Sequence, residues 1–489
     1  MGQTKKMNRL DRDETKIRYQ KARTAHWDWV SLRKLRPKRA GGFYHQLIQY
    51  YYRFYIPPNL RVLELGCGHG DLLACLKPNP GVGVDFSKKM LGVAAKKHPE
   101  LVFVQADAHD IAFADKFDVI ILSDLVNDLW DVQRVLEGLR NQTHSGTRLF
   151  LNFYNNLWRL PLSAVKRLGL GFEVLEQNWF APQDIHNLLR LSGFEVLQNR
   201  PMILLPVDIP FLAPLMNRYL AHIPPFHWFD LTNMVIARPD PSREKHPQKK
   251  TPSVSVIVPA RNEAGNIEQI MQRVPELGGG TEVVFVEGHS TDNTIETIKD
   301  MLERFPDRNC QFFQQTGKGK GDAVRMGFSA AKGDILMILD ADLTVPPEDL
   351  TRFYNAIVGG RGEFINGVRL VYPLEDQSMR FFNILGNKFF SLAFSWLLGQ
   401  PIKDTLCGTK VLWKRDYETI AANRHYFGTF DPFGDFDLLF GAAKLNFKIA
   451  EIPIRYRSRT YGTTNIDRWR HGWLLIKMVL FAARRIKFV

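Results

Sequence analysis

The sequence predicts two α/β domains, each built on a doubly wound sheet with helices on both faces. Three observations carry this reading. At 489 residues the chain outgrows what one hydrophobic core usually serves. Short apolar runs alternate with helical patterns in both halves, the arrangement of parallel strands joined by crossover helices. Between the halves, RPDPSREKHPQKKTPS interrupts the apolar pattern with three prolines before Thr251, which is linker composition.

In chain order, residues 1–40 form a basic lead-in with thirteen Lys/Arg against four Asp/Glu. A first domain follows over 41–238. Its runs at 61–65, 82–84, 101–104, 117–122, 147–152 and 233–237 are short enough for strands buried on both faces. The stretch MILLPVDIPFLAPLM is cut by Pro206, Pro210 and Pro214, so no membrane span is expected there. The linker occupies 239–252. The second domain, 253–470, opens its strands at 254–258, 282–286 and 335–339. Within it, Phe381 to Leu398 places Phe382, Leu385, Phe389 and Leu392 on one helical face, read as core packing or, alternatively, as a lipid-facing acceptor helix. Residues 471–489 form a basic amphipathic helix. Its apolar run Trp473 to Ala483 is eleven residues long, short of the ~20 a bilayer span takes, and suits either the headgroup plane or ordinary packing.

The net charge of +14 sits in the tails, since residues 455–489 hold nine Lys/Arg against one Asp/Glu. Such tails suit a solvated surface or an anionic membrane surface; nucleic-acid binding lacks any recognition module. Cys67, Cys75, Cys310 and Cys407 form no CxxC pair or zinc-like spacing, so free thiols are expected. With no apolar leader at the N-terminus, the expected location is cytoplasmic, with a peripheral seat at the inner face of a membrane as the variant the tails suggest.

VLELGCGHGDLL puts Gly66, Gly68 and Gly70 between a strand and a helix, where bare backbone and helix N-terminal amides approach a ligand closely. Glu64 precedes the turn, Asp85 ends the next strand, and Asp107 ends the third with Ala108 beside it. On these residues the segment resembles class I S-adenosylmethionine-dependent methyltransferases, with a Rossmann-like sheet, over about 40–238. The resemblance implies that Glu64 and the three glycines shape the methionine and ribose side, that Asp85 holds the ribose, and that Asp107 and Ala108 frame the adenine. The G-x-G-x-G spacing disfavours a dinucleotide. Many relatives carry Glu-His after the fourth strand, where this chain has Asn127-Asp128. The candidates for a general base are Asp124, Asp128 and His109.

In the second half, SVSVIVPARNEAGNIEQIM, EVVFVEGHSTDNTIETI and GDILMILDADLTVPPEDL occur in that order. A strand ending in Asp340-Ala341-Asp342 presents two carboxylates at the sheet edge, suited to a hard divalent cation shared with substrate phosphates. These motifs resemble family 2 glycosyltransferases of the GT-A fold, and among them the dolichol- or polyprenyl-phosphate sugar transferases. The resemblance implies a hexosyltransferase-like enzyme with a nucleotide-sugar donor, Mg2+ or Mn2+ on Asp340 and Asp342, and a polyprenyl-phosphate or glycan acceptor. It places Pro259, Ala260, Arg261, Glu263 and Glu287 around the nucleotide, though Glu287-Gly288-His289-Ser290 departs from the family's Asp-Asp-Gly-Ser. Lys318 and Lys320, on a glycine-rich segment, suit a diphosphate. Asp404, in DTLCGTK, and the pair Asp435 and Asp437 stand with Asp342 as candidate catalytic carboxylates. Arg455, Arg457 and Arg459 alternate on an extended segment, suited to clamping phosphate oxygens. The two halves together predict a bifunctional transferase; a non-catalytic, ligand- or partner-binding first domain is the alternative.

Overall fold

The structure, a computed structural model, describes all residues except 1, 32–39, 168–174, 244–250, 370–380, 427–433, 435, 458, 460 and 462–467. The chain divides into two compact units, Met1–Arg243 and Glu244–Val489.

The first unit is a seven-stranded sheet. Its strands are β1 (Val62–Leu65), β2 (Gly81–Asp85), β3 (Val102–Gln105), β4 (Phe117–Ser123), β5 (Thr143–Tyr154), β6 (Phe194–Met202) and β7 (Thr232–Pro239). They lie in the order β3-β2-β1-β4-β5-β7-β6. β1 to β5 pair in parallel, whereas β7 runs antiparallel to both β5 and β6. The sheet is therefore mixed, and β6 was not legible as a strand. Along β1 and β4 alternate residues enter opposite cores: Val62 and Ile121 join Tyr52 and Phe150, while Leu63, Leu65, Ile120 and Leu122 join Leu136 and Phe153.

The second unit repeats the plan with β8 (Val254–Ala260), β9 (Thr281–Glu287), β10 (Cys310–Gln314), β11 (Ile335–Ile338), β12 (Phe364–Val368), β13 (Lys410–Trp413) and β14 (Ile449–Pro453). Their order is β10-β9-β8-β11-β13-β12-β14, with β13 antiparallel to both neighbours. Ile257, Val286 and Ile338 face one core, and Val256, Phe285 and Met337 the other.

In each unit the order of the central parallel strands reverses, between β1 and β4 and between β8 and β11. The crevice at the carboxyl ends of such a strand pair is where open α/β sheets bind ligands.

Two expectations need correction. Phe389 and Leu392 do not pack into a core: on the helix Phe381–Leu398 both are exposed, and Phe394, Leu397 and Leu398 are the buried residues. The side chains of Phe382 and Leu385 lie outside the described residues. Residues 14–30 keep Arg18 and Lys21 exposed, as a solvated basic surface would, but are not a loose tail. They form the end of a helix, Gly2–Val30, in which Arg23 is buried by pairing with Asp128 at 2.9 Å. All four cysteines are free. Among the described residues no helix is long and apolar enough to cross a membrane.

Candidate active sites

In the second unit the crevice between β8 and β11 opens into a cavity of about 300 Å³. Pro259 and Ala260 at the end of β8, the following Arg261 and Glu263, and Asp340, Ala341 and Asp342 beyond β11 all line it. Lys320 reaches in from the first turn of the helix Lys320–Ala330, and its Nζ lies 2.7 Å from Asp340 Oδ1. Burial opposes ionisation of Asp340. The cations Lys320, Lys410 and Arg369 outweigh it and hold this carboxyl below the usual range. Asp342 is fixed twice, accepting from Thr344 N and Oγ1 at 3.1 and 2.8 Å and from Arg459 Nη2 at 2.8 Å. Arg459 also lies 3.4 Å from Glu263 Oε1. Both strand-end carboxylates thus sit against a positive side chain.

Some expected residues lie elsewhere. Glu287 is buried and its carboxylate accepts from Ser290 N, which shapes the turn after β9 rather than the cavity wall. Val286, Gly288 and Gln315 line the wall instead. Lys318 is exposed and outside the lining, as are Arg455 and Arg457; of the three alternating arginines, Arg459 enters. Asp404 is buried in a bidentate pair with Arg369, at 2.7 and 2.8 Å, and accepts from the amides of Arg369 and Leu406 at 3.0 Å each. Asp437 is buried beside Arg424 at 3.0 Å. Asp435 lies outside the described residues. Gly408, within DTLCGTK, proves to back the carboxylates. A Cβ there would fall 1.9 Å from Asp340 Oδ2 and 2.5 Å from Lys320 Nζ, so any side chain at this position would displace the carboxylate or its lysine partner.

In the first unit, Gly66, Gly68 and Gly70 all adopt positive φ (68°, 52° and 75°) between β1 and the short helix Asp71–Cys75. Cβ atoms at Gly66 and Gly70 would meet Leu125 and Phe103 at 2.8 and 2.7 Å. Asp85 accepts from the amides of Gly68 (3.0 Å) and Ser87 (2.8 Å), and burial raises its pKa. Glu64 is buried within β1, with its Oε2 unpartnered among the described residues; burial pushes this carboxyl well up, towards the neutral form. Asp107 accepts from the backbone amide and Nδ1 of His109 at 2.8 and 2.6 Å. Those bonds overcome burial and lower its pKa to about 2. His109 Nε2 in turn accepts from Asp131 N at 3.1 Å, which spends both ring nitrogens.

Gly66, Asp85, Asp107, Ala108 and His109 line a cavity of about 80 Å³ whose other wall is the helix Gly2–Val30, whereas Glu64, Gly68 and Gly70 lie outside its lining. Gln20 Nε2 donates to Asp107 Oδ2. Trp27 Nε1 donates to Asp128 Oδ2 at 2.8 Å, and Ser87 Oγ donates to Asp28 Oδ1 at 2.5 Å. Asp128 is thereby held by Arg23 and Trp27. Asn127 is fully buried and donates to Asn178 O at 2.7 Å.

Of the three candidate bases, Asp128 and His109 line the cavity and are ion-paired, whereas Asp124 lies outside the lining and takes hydrogen bonds alone. It follows β4 at a φ of 54°, next to Leu125 of the cavity wall. Its Oδ1 accepts from Tyr44 OH at 2.8 Å and Asn152 Nδ2 at 2.5 Å. Tyr44 OH accepts from Thr232 Oγ1 at 3.1 Å. Burial raises Asp124 to about 7 against these two donors.

The glycosyl transferase family 2 model matches residues 255–420, and a methyltransferase domain model matches residues 56–191. This chain combines a methyltransferase domain with a family 2 glycosyltransferase domain. Across the glycosyltransferase half it is 28% identical to the dolichol-phosphate mannosyltransferase of Pyrococcus furiosus, over 48% of this chain and 67% of that one. It is 31% identical to an undecaprenyl-phosphate 4-deoxy-4-formamido-L-arabinose transferase of Pseudomonas aeruginosa, over 46% of this chain and 64% of the relative. The methyltransferase half aligns with a crystal structure of an S-adenosylmethionine dependent methyltransferase from Mesorhizobium loti at 18% identity and a TM-score of 0.32, over 41% of this chain and all of the other.

The glycosyltransferase cavity draws on residues that no local motif marks. Gln315 and Arg459 reach it from distant parts of the chain, and only the alternating arginine pattern hinted at one of them. In the methyltransferase cavity the missed residues are Tyr19, Gln20, Arg23 and Thr24, hidden in a segment whose most visible feature was charge.

Proposed function

We propose that the glycosyltransferase unit moves a sugar from a nucleotide donor onto a polyprenyl-phosphate or glycan acceptor. The observation that carries this is the pair Asp340 and Asp342 in a 300 Å³ cavity, each already set against a cation, Lys320 or Arg459. Among the described residues no three metal-ligating side chains gather. Mg2+ or Mn2+ would therefore be held by these two carboxylates with donor phosphate oxygens, and when bound would offset the charge of the departing diphosphate. Lys320 and Arg459 are placed to turn from the carboxylates to the phosphates. Pro259, Ala260, Arg261 and Glu263 would border the nucleoside. A phosphate acceptor is ionised at neutral pH, so no general base is needed for it.

A lipid-linked acceptor also accounts for a second feature of this unit. The packed helices Phe381–Leu398 and Arg468–Ala482 expose Phe389, Leu392, Trp473, Ile476 and Leu480, with Lys388, Lys477, Arg484 and Arg485 alongside. Apolar residues with a basic rim suit peripheral seating on an anionic membrane.

For the methyltransferase unit the reading is S-adenosylmethionine binding at Gly66, Gly68, Gly70, Asp85, Asp107 and Ala108, with methyl transfer to an acceptor that Asp124 deprotonates. The turn takes positive φ at all three glycines, with no room for a Cβ at Gly66 or Gly70, and acidic strand ends suit ribose and amine donors. The present 80 Å³ falls below the ~300 Å³ at which small-molecule sites begin. Cofactor entry on this reading needs more room than the present contacts of Gln20 and Arg23 leave. That closure favours one alternative, a methyltransferase-like domain that binds a partner without catalysis.

The deciding experiment is a nucleotide-sugar screen with lipid-phosphate acceptors in Mg2+, Mn2+ and EDTA, paired with calorimetric titration of S-adenosylmethionine. Metal-dependent turnover with one donor is expected. Turnover indifferent to EDTA removes the metal from the site, and absent cofactor binding leaves the scaffold alternative standing.

A further inference from the structure

The segments after β5 and after β6 leave the methyltransferase sheet at one edge. β5 and β6 each run antiparallel to β7, so their carboxyl ends point the same way. That edge is also the one where β1, β2, β3 and β4 end, because β1 to β5 are parallel. The two segments are tied together. Trp158 Nε1 donates to Phe229 O at 2.8 Å, and Asn155 Nδ2 donates to Trp228 O and Asp230 O at 3.1 Å each. Within the second segment Asn217 clamps Leu205 through both its amide and carbonyl, at 2.8 Å each.

This firm platform displays large apolar side chains to solvent. Phe211 is 92% exposed, Leu160 79%, and Leu157 and Trp228 60%; Leu215 and Phe229 are exposed beside them. Phe211 also holds a φ of 64°, a conformation that costs a bulky residue energy and persists where its surroundings enforce it. So many large apolar side chains exposed on two segments that are tied together mark a binding face. Its exposed charges among the described residues are mainly basic, Arg159 and Arg218 against Asp208. Pro206, Pro210 and Pro214 prevent a spanning helix, so the surface suits lying on a bilayer, with Trp228 at headgroup level.

We propose that this face of the methyltransferase unit seats on an anionic lipid surface. The seat is separate from the exposed helices of the glycosyltransferase unit and does not depend on the transferase reading. It also positions chemistry. The segment leads in sequence to the buried Thr232, whose hydroxyl donates to Tyr44 OH, which in turn donates to Asp124, so the seat and the candidate base belong to the same end of the sheet.

The test uses the full chain and vesicles of phosphatidylcholine with or without phosphatidylglycerol. Because Trp473 and Leu480 can bind lipid on their own, the background carries Trp473→Ser and Leu480→Ser. In it, sedimentation with phosphatidylglycerol vesicles should persist. Adding Phe211→Ser, Trp228→Ser and Phe229→Ser should lower the partition coefficient at least about tenfold. Arg159→Glu with Arg218→Glu should lower it without touching the apolar residues, which covers the case of a misfolded triple variant. Trp228→Phe should remove part of the fluorescence quenching by brominated lipid. A background protein that ignores the vesicles overturns the proposal, as does a triple variant that partitions unchanged. So does a wild-type dimer that the triple variant splits, since the face would then belong to a second copy. Titration of S-adenosylmethionine on the same samples reports the cofactor reading separately.

Discussion

The two units place a crevice at the same point of the same kind of sheet and finish it by opposite means. In the glycosyltransferase unit the crevice is open, and its chemistry is charge: Asp340 and Asp342 are balanced by Lys320 and Arg459 within 2.8 Å. In the methyltransferase unit it is narrowed by a helix, and its chemistry is burial: Glu64, Asp85 and Asp124 all have raised pKa values chiefly because they are desolvated. A paired carboxylate stays ionised and suits holding a cation or yielding its partner to a phosphate. A buried one near neutrality suits taking a proton.

The contrast predicts different failures. Asp342→Asn should produce the largest, a fall of at least about 10³-fold in sugar transfer, since it removes half of the charge that a cation would meet; steady-state turnover across a Mn2+ series reads it, and an unchanged rate would end the charge-based account. Asp124→Asn should lower methyl transfer by roughly 10²-fold with cofactor affinity preserved. The wild-type rate should climb with pH through about 7, where Asp124 ionises, and the variant should lose that climb. Retention of the climb would assign the proton to another group.

Gly408→Ala is expected to cost about tenfold in sugar transfer, chiefly as a raised metal requirement, because the new methyl must push Asp340 aside by steric overlap. The smallest effect should come from Asp230→Asn. This side chain is fully buried, both its oxygens lack partners among the described residues, and burial raises its pKa to about 8. A raised carboxyl pKa means that the folded state holds its proton more tightly than the unfolded one. Wild-type stability is therefore lost as pH rises from about 4 through 8. The variant should gain several degrees of melting temperature at pH 8.5, roughly 2–4 °C per kcal/mol in a domain of this size, and nothing at pH 4. A gain equal at both values would point to packing instead.

Much of each site was legible because it is local. A glycine triplet after a strand, or two aspartates where an apolar run ends, needs no more than a few residues to define its place, and the structure puts Gly66, Gly68, Gly70, Asp340 and Asp342 at crevice edges. Period and length also marked most parallel strands. They did not mark β6, β10, β12, β13 or β14; β6, β12 and β13 pair with antiparallel neighbours, and the edge strands β10 and β14 carry polar residues or proline, so none shows the buried apolar run of a central parallel strand. Exposure was misread where an amphipathic helix has two apolar faces, as Phe389 and Leu392 show.

What the sequence by itself determined is where the carboxylates and glycines stand, since strand length and apolar alternation set which residue emerges at a sheet edge. What the tertiary structure alone decided is what each carboxylate faces. Arg459 comes to Asp342 across 117 residues of chain, Arg23 to Asp128 across 105, and Tyr44 to Asp124 across 80. Ion pairing and desolvation depend on distance in space and carry no sequence period. The same aspartate can therefore become a cation ligand, a latch for a helix or a near-neutral base according to the partner that folding brings to it.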